Sequence, residues 1–158
     1  MKITHLSDIP PVQWAGGKTW QLIILPEDAT LSKRNFDYRL SSASIEAEHS
    51  RFTAFPGFER DLVLLTEPIT LQIFGRRQPV QPGKVFHFYG SDMVESEGKT
   101  QDLNLIKRAG LPGKLEIIEG SISGPALVFD PKQMALIALE AGEKSSFEQV
   151  VKVDIPLT

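Results

Sequence analysis

Two arginines stand out by their neighbours. In the stretch Phe36–Ile45, FDYRLSSASI, strand alternation puts Asp37, Arg39, Ser41, Ala43 and Ile45 on one face and Phe36, Tyr38, Leu40, Ser42 and Ser44 on the other. Arg39 therefore sits among small side chains. Further on, Phe52, Phe55 and Phe58 crowd around Pro56-Gly57, and Glu59-Arg60-Asp61 leads into the apolar run Leu62–Leu65, so Arg60 enters a strand of buried character. A guanidinium is a planar, permanently charged fork whose N–H donors match the two oxygens of a carboxylate. The competing reading is a surface or ion-paired arginine on an ordinary sheet, because arginine is mostly exposed. Periodicity does not choose between the two.

Other chemistries find less support. His5, His49 and His87 are isolated, with no His-x-His, so a bound metal would need unrelated segments to converge, and the expectation is no metal and no cofactor. His87 is expected to pack and hydrogen-bond within a barrel. No Gly-x-Ser-x-Gly elbow accompanies Ser41, Ser42 or Ser44. Gly17-Lys18-Thr19 superficially resembles the end of a phosphate-binding loop, but Val12 stands where that loop needs its first glycine. Asp37, Glu59, Asp61, Asp92 and Asp102 are carboxylates whose sequence spacing fixes no distance between them. Each has the alternative of a solvated charge or an arginine partner.

The elements that must position these residues are short. The 158 residues suit one compact unit or two halves sharing an interface, and 11 prolines and 12 glycines punctuate many β-branched or aromatic segments. That pattern predicts an all-β, mainly antiparallel chain, with strands near 20–25, 36–45, 61–65, 69–74, 85–89, 102–108, 114–118, 126–129, 134–139 and 147–155. Residues 5–12 read as an extended arm, 75–81 as a polar link, and 93–101 as a charged loop. Pro82-Gly83 fits the centre of a type II turn.

With 17 Lys and Arg against 20 Asp and Glu, the formal charge is −3, which disfavours nucleic acid and anionic membranes as partners. There is no cysteine, so disulfides, thiolate metal sites and cysteine nucleophiles are excluded together. No apolar run reaches membrane-spanning or signal-peptide length, and a cytoplasmic protein is expected. A homodimer is expected on general grounds, such dimers being the commonest oligomers.

FDYRLSSASI, FTAFPGFER and DLNLIKR, preceded by Trp14 with Gly16-Gly17-Lys18-Thr19, resemble the successive signatures of the HutD/Ves family, from about Trp14 to Arg108. The resemblance implies a cupin-like double β-barrel (bicupin), here residues 1–158 with a first half at roughly 14–108 that holds the pocket and a smaller half at 109–158. One branch of that family is associated with control of histidine utilisation. The chain departs from the pattern at Glu46–Arg51, where EAEHSR replaces the usual Asp-Gly turn at the cavity rim.

Alternation and resemblance together leave one binding constellation: Trp14, Arg39, Phe55, Arg60, Asp102 and Asn104. The expected function is metal-independent binding of a small carboxylate-bearing metabolite, regulatory in histidine utilisation by resemblance. The alternatives are a metal-independent isomerase or hydrolase using an aspartate or His87 as base, and a structural or stress-associated protein with no ligand. Arg39 or Arg60 could equally pair internally with Asp102.

Overall fold

The computed structural model describes residues 1–157 and contains fifteen strands, numbered in chain order. The chain divides into two compact units, one of residues 11–111 and one of residues 1–10 with 112–158. The smaller unit holds β1 (Lys2–His5), β12 (Lys114–Ser123), β13 (Ala126–Asp130), β14 (Ala135–Leu139) and β15 (Lys144–Asp154). They form one antiparallel sheet in the order β1-β14-β13-β15-β12. Its core is aliphatic, with Val128, Ile137, Leu139 and Val150 buried together. The four strands expected here are all present, and β12 and β15 are longer than the sequence suggested.

The unit of residues 11–111 contains β2 (Val12–Trp14), β3 (Gly17–Leu25), β4 (Tyr38–Ile45), β5 (His49–Arg51), β6 (Phe58–Leu64), β7 (Ile69–Ile73), β8 (Arg76–Val80), β9 (Val85–Tyr89), β10 (Val94–Glu97) and β11 (Thr100–Arg108). Six of them make an antiparallel sheet in the order β2-β3-β4-β11-β6-β9, and four make a second in the order β5-β10-β7-β8. Apolar residues of both sheets meet in one cluster. Ile45, Leu62, Leu64 and Phe88 come from the first, and Ile69, Leu71, Val80 and Val94 from the second. This cluster defines an inner face of the six-stranded sheet.

Three expectations are corrected here. Residues 5–12 are not an arm: β1 pairs with β14, Leu6–Asp8 make a 3-10 turn, and Val12 begins a strand against β3. The expected link at 75–81 holds β8, an edge strand whose exposed Arg76, Arg77 and Gln78 hide its period and whose Pro79 an edge position tolerates. The expected loop at 93–101 holds β10, in which Val94 and Ser96 are buried while Glu95 and Glu97 are not. Four residues are too few for alternation to show through two charges.

The turn joining β7 to β8 is the two-residue loop Phe74-Gly75, both at positive φ, 51° and 77°. That is the geometry of a type I′ hairpin, which favours Asn-Gly and disfavours a bulky first residue. Phe74 is also 73% exposed, so its ring recovers little burial. Phe74→Asn is expected to stabilise the protein by about 0.5–1 kcal/mol in urea unfolding, the scale of relieving one unfavourable backbone position.

Among the described residues, no helix is long and apolar enough to cross a membrane.

Candidate anion-binding face

Register brings the two arginines to one face. Arg39 of β4 opposes Ile106 of β11, which opposes Arg60 of β6, which opposes Phe88 of β9. Residues directly opposite share a face, so Arg39 and Arg60 flank Ile106 on the inner face, with Cα atoms roughly 10 Å apart at two strand spacings. The next row is Gln21, Ser41, Asn104, Leu62 and Phe86, and the one after it includes Thr19, Ala43, Asp102 and Leu64. Asn104 and Asp102 therefore share the face of the arginines.

Both guanidinium groups are deeply buried, each residue being 8% exposed. Arg39 Nε donates to Gln21 Oε1 at 2.9 Å, and its Nη1 donates to Ser41 Oγ at 3.3 Å. Burial lowers its pKa from the usual arginine value. Arg60 Nη1 donates to the Thr53 carbonyl at 2.9 Å. Its guanidinium carbon lies 5.4, 5.5 and 5.0 Å from the ring centres of Phe52, Phe55 and Phe88, so the ring faces partly replace lost hydration. Burial pulls the Arg60 pKa down to about 10; the Asp102 charge opposes that shift and the Arg39 charge adds to it.

Asp102 is 2% exposed. Its Oδ1 accepts the Ala43 N–H at 2.9 Å. Burial pushes its pKa up to about 7, with the Ala43 hydrogen bond and the Arg60 charge pulling the other way. Among the described residues neither arginine makes an ion pair with it within 4.0 Å. Two cations thus face one carboxylate that spends part of its time protonated near neutrality.

Several polar atoms on this face are buried with no hydrogen-bond partner, namely Arg60 Nε, Asn104 Oδ1 and, further along, Trp14 Nε1. An unmade buried hydrogen bond costs about 1–3 kcal/mol. Among the described residues five such atoms lie in this unit, Ser50 Oγ and Ser96 Oγ of the second sheet being the other two, and the three on this face ask for a polar occupant, a ligand or ordered water.

The six residues expected from the sequence do not form one contact group. Phe55 packs with Phe36, Phe58 and Ile106 and reaches the Arg60 guanidinium. Trp14 opposes Gly17, which opposes Ile45, six residues from Arg39 along β4 and so roughly 20 Å away. A Cβ on Gly16 would lie 2.1 Å from the Trp14 ring, so only glycine leaves room for the indole there. Sequence reasoning missed Gln21 and Thr53, which hold the two guanidinium groups.

His87 is not inside. It opposes Asp61 on the other face of the sheet, with Nδ1 2.6 Å from Asp61 Oδ1 and Nε2 3.7 Å from Glu59 Oε1. Because Phe88 points inward, its neighbour in the strand must point outward, and His87 is an exposed residue hydrogen-bonded to Asp61 rather than a barrel residue. Among the described residues no three His, Asp or Glu side chains are grouped to hold a metal ion.

A cleft of about 470 Å³ opens in this unit, walled by Phe52, Thr53, Phe74, Met93 and Val94 among others; none of the six expected residues lines it, although Phe52 and Thr53 also touch Arg60. Two of its polar side chains are partnered, Arg51 by Glu95 and Gln72 by Glu97. Unsatisfied buried donors mark a polar ligand's seat better than a concavity does, so the inner face is the stronger candidate.

The sequence matches the HutD family over residues 6–157. The chain belongs to the HutD family. It is similar to the solved structure of HutD from Pseudomonas fluorescens, with a TM-score of 0.76 and 22% identity over 97% of this chain and 96% of that one. It is also similar to a conserved protein of unknown function from Pseudomonas aeruginosa, with a TM-score of 0.69 and 21% identity over 96% and 91%. A cupin domain from Schizosaccharomyces pombe shares the fold more distantly, at a TM-score of 0.52 and 8% identity over 65% and 71%. No protein of curated function matches. This HutD-family chain is all-β, antiparallel and cupin-like, as its short punctuated strands and its motif series implied.

Proposed function

We propose that this HutD-family protein binds a small carboxylate-bearing metabolite on the inner face of the six-stranded sheet, and that binding, rather than turnover, is its task in regulating histidine utilisation. The observation that carries the reading is the pair of buried guanidinium groups, Arg39 and Arg60, neither within ion-pair distance of Asp102, with Arg60 Nε left without an acceptor. A carboxylate would supply that acceptor and offset the second positive charge. Asn104 would meet a donor on the ligand through its free Oδ1. Phe55 and Phe88 would border the apolar part, and Trp14, at the far end of the face, would contact only an elongated ligand. The fuller fold reading, a bicupin whose second half is the five-stranded sheet, belongs to the same proposal.

The related Pseudomonas fluorescens HutD structure was obtained in a formate condition, which makes formate the first probe. A ligand that binds only the native state raises the unfolding midpoint with its concentration. Formate, urocanate and formylglutamate are each expected to raise it in a saturable way, with no new product in the same samples. No shift with any small carboxylate would sink the proposal.

A second reading is favoured by one observation, the Asp102 carboxyl whose pKa stands at about 7. A buried carboxyl poised there suits general acid–base work. Under that reading, a metal-independent isomerase or hydrolase, the same incubations yield a product that Asp102→Asn abolishes.

A further inference from the structure

The two guanidinium groups are held differently, and the difference points to a residue outside the expected constellation. Arg39 has its Nε engaged by Gln21 and its Nη1 by Ser41, whereas Arg60 has its Nη1 engaged by the Thr53 carbonyl and its Nε free. Gln21 owes its place to an irregularity. Between Gln21, which opposes Ser41, and Ile24, which opposes Arg39, β3 carries two residues where a regular strand would carry one. Such a bulge bends its strand and re-aims side chains. Here the bulge lies between the partners of Ser41 and Arg39, and the Gln21 amide reaches the Arg39 Nε from it.

Gln21 is also where this face meets solvent. Along its row the residues run from exposed Gln21 to buried Ser41, Asn104 and Leu62. β2 covers only Gly17–Thr19 of β3, so the strand is unpaired on that side at Gln21. Gln21 is thus the most exposed member of this row, which ends at its other side on half-buried Phe86.

We propose that Gln21 is the positioning residue of the anion site: it fixes Arg39 through Nε so that the Nη edge is presented to an incoming carboxylate, and it stands at the side from which that carboxylate enters. This rests on the anion-binding reading above. A neutral acceptor is what the role requires. Glutamine accepts from Nε without cancelling the charge, whereas a glutamate there would pair with Arg39 and repel an anion at the entrance.

The test compares the wild type with Gln21→Glu, Gln21→Met and Arg60→Met, using calorimetric titration with formate at pH 8 and the unfolding midpoint of each variant. Gln21→Glu is expected to weaken formate binding at least tenfold and Gln21→Met severalfold, both with midpoints near wild type because the side chain is exposed. Nitrate, planar and not titrating in the range, gives the pH profile. The wild-type to Gln21→Glu affinity ratio should shrink toward one only as pH falls below the ordinary glutamate value near 4.3, because pairing with Arg39 lowers that carboxyl's pKa, a change a purely structural role would not produce. If Arg60→Met loses formate binding while both Gln21 variants bind as wild type does, the Gln21 role is wrong and the anion site stands. If Arg60→Met also binds as wild type does, both are wrong.

Discussion

Asp102→Asn is expected to stabilise the ligand-free protein at pH 8 by on the order of 3 kcal/mol and to leave its stability at pH 3.5 nearly unchanged. The cause is burial of a carboxyl that is 2% exposed and lacks an ion-pair partner within 4.0 Å among the described residues. Its pKa rises from 3.8 in the unfolded chain to about 7 in the folded one. Between those values the native state holds a proton that the unfolded state has released, so unfolding stability falls as pH rises. The favourable contribution of the protonated group is fully present below 3.8 and is lost as pH climbs through about 7. At about 1.4 kcal/mol per pH unit, the whole interval corresponds to about 4 kcal/mol. Asparagine keeps an oxygen to accept the Ala43 N–H while removing the charge, so most of that cost should be recovered. Urea unfolding from pH 3.5 to 8 reads it directly: the wild type should slope downward across the interval and the variant should not. Parallel curves would mean that Asp102 is ionised throughout, held by a partner the geometry does not reveal.

The same carboxylate shows which parts of the site could be read before folding. Alternation in DLNLIKR puts Asp102 and Asn104 on one face of a strand, and alternation in RLSSASI puts Arg39 with Ser41 and Ala43. In the structure β11 lies between β4 and β6, which turns those separate periods into one surface. Strand order is a non-local property, so no pattern within a single segment could show that Arg39 and Arg60 flank the same residue of β11. Gln21 was hidden for another reason. A bulge adds one residue and shifts the period, so counting by twos along TWQLIIL pairs the wrong side chain with Arg39. β8 and β10 were missed because charged, exposed residues dominate short strands whose few inward positions are small. His87 was misplaced because its strand is aromatic on both faces, leaving no polar contrast to tell inside from outside.

Replacing the arginines separates a ligand seat from a structural ion pair, and the two should respond differently. In Arg39→Met the stem survives and the fork is lost. Its partners are Gln21, which is exposed and can turn to water, and Ser41, a neutral hydroxyl, so no buried carboxylate is left alone. The expected result is a change in stability below about 1 kcal/mol. A carboxylate ligand would lose a charge-assisted contact worth about 2 kcal/mol, roughly thirtyfold in affinity. Arg60→Met should weaken binding at least as much and also cost stability. It removes the cation stacked against Phe52, Phe55 and Phe88, strands the Thr53 carbonyl, and withdraws the positive charge that restrains the Asp102 pKa. The last effect gives the pair a signature. Arg60→Met should move the pH at which stability falls to higher values, and adding Asp102→Asn should erase that movement, because the two groups couple through one charge interaction. Arg39→Met with strong destabilisation and unchanged formate affinity would overturn the ligand role and return Arg39 to the framework of the sheet.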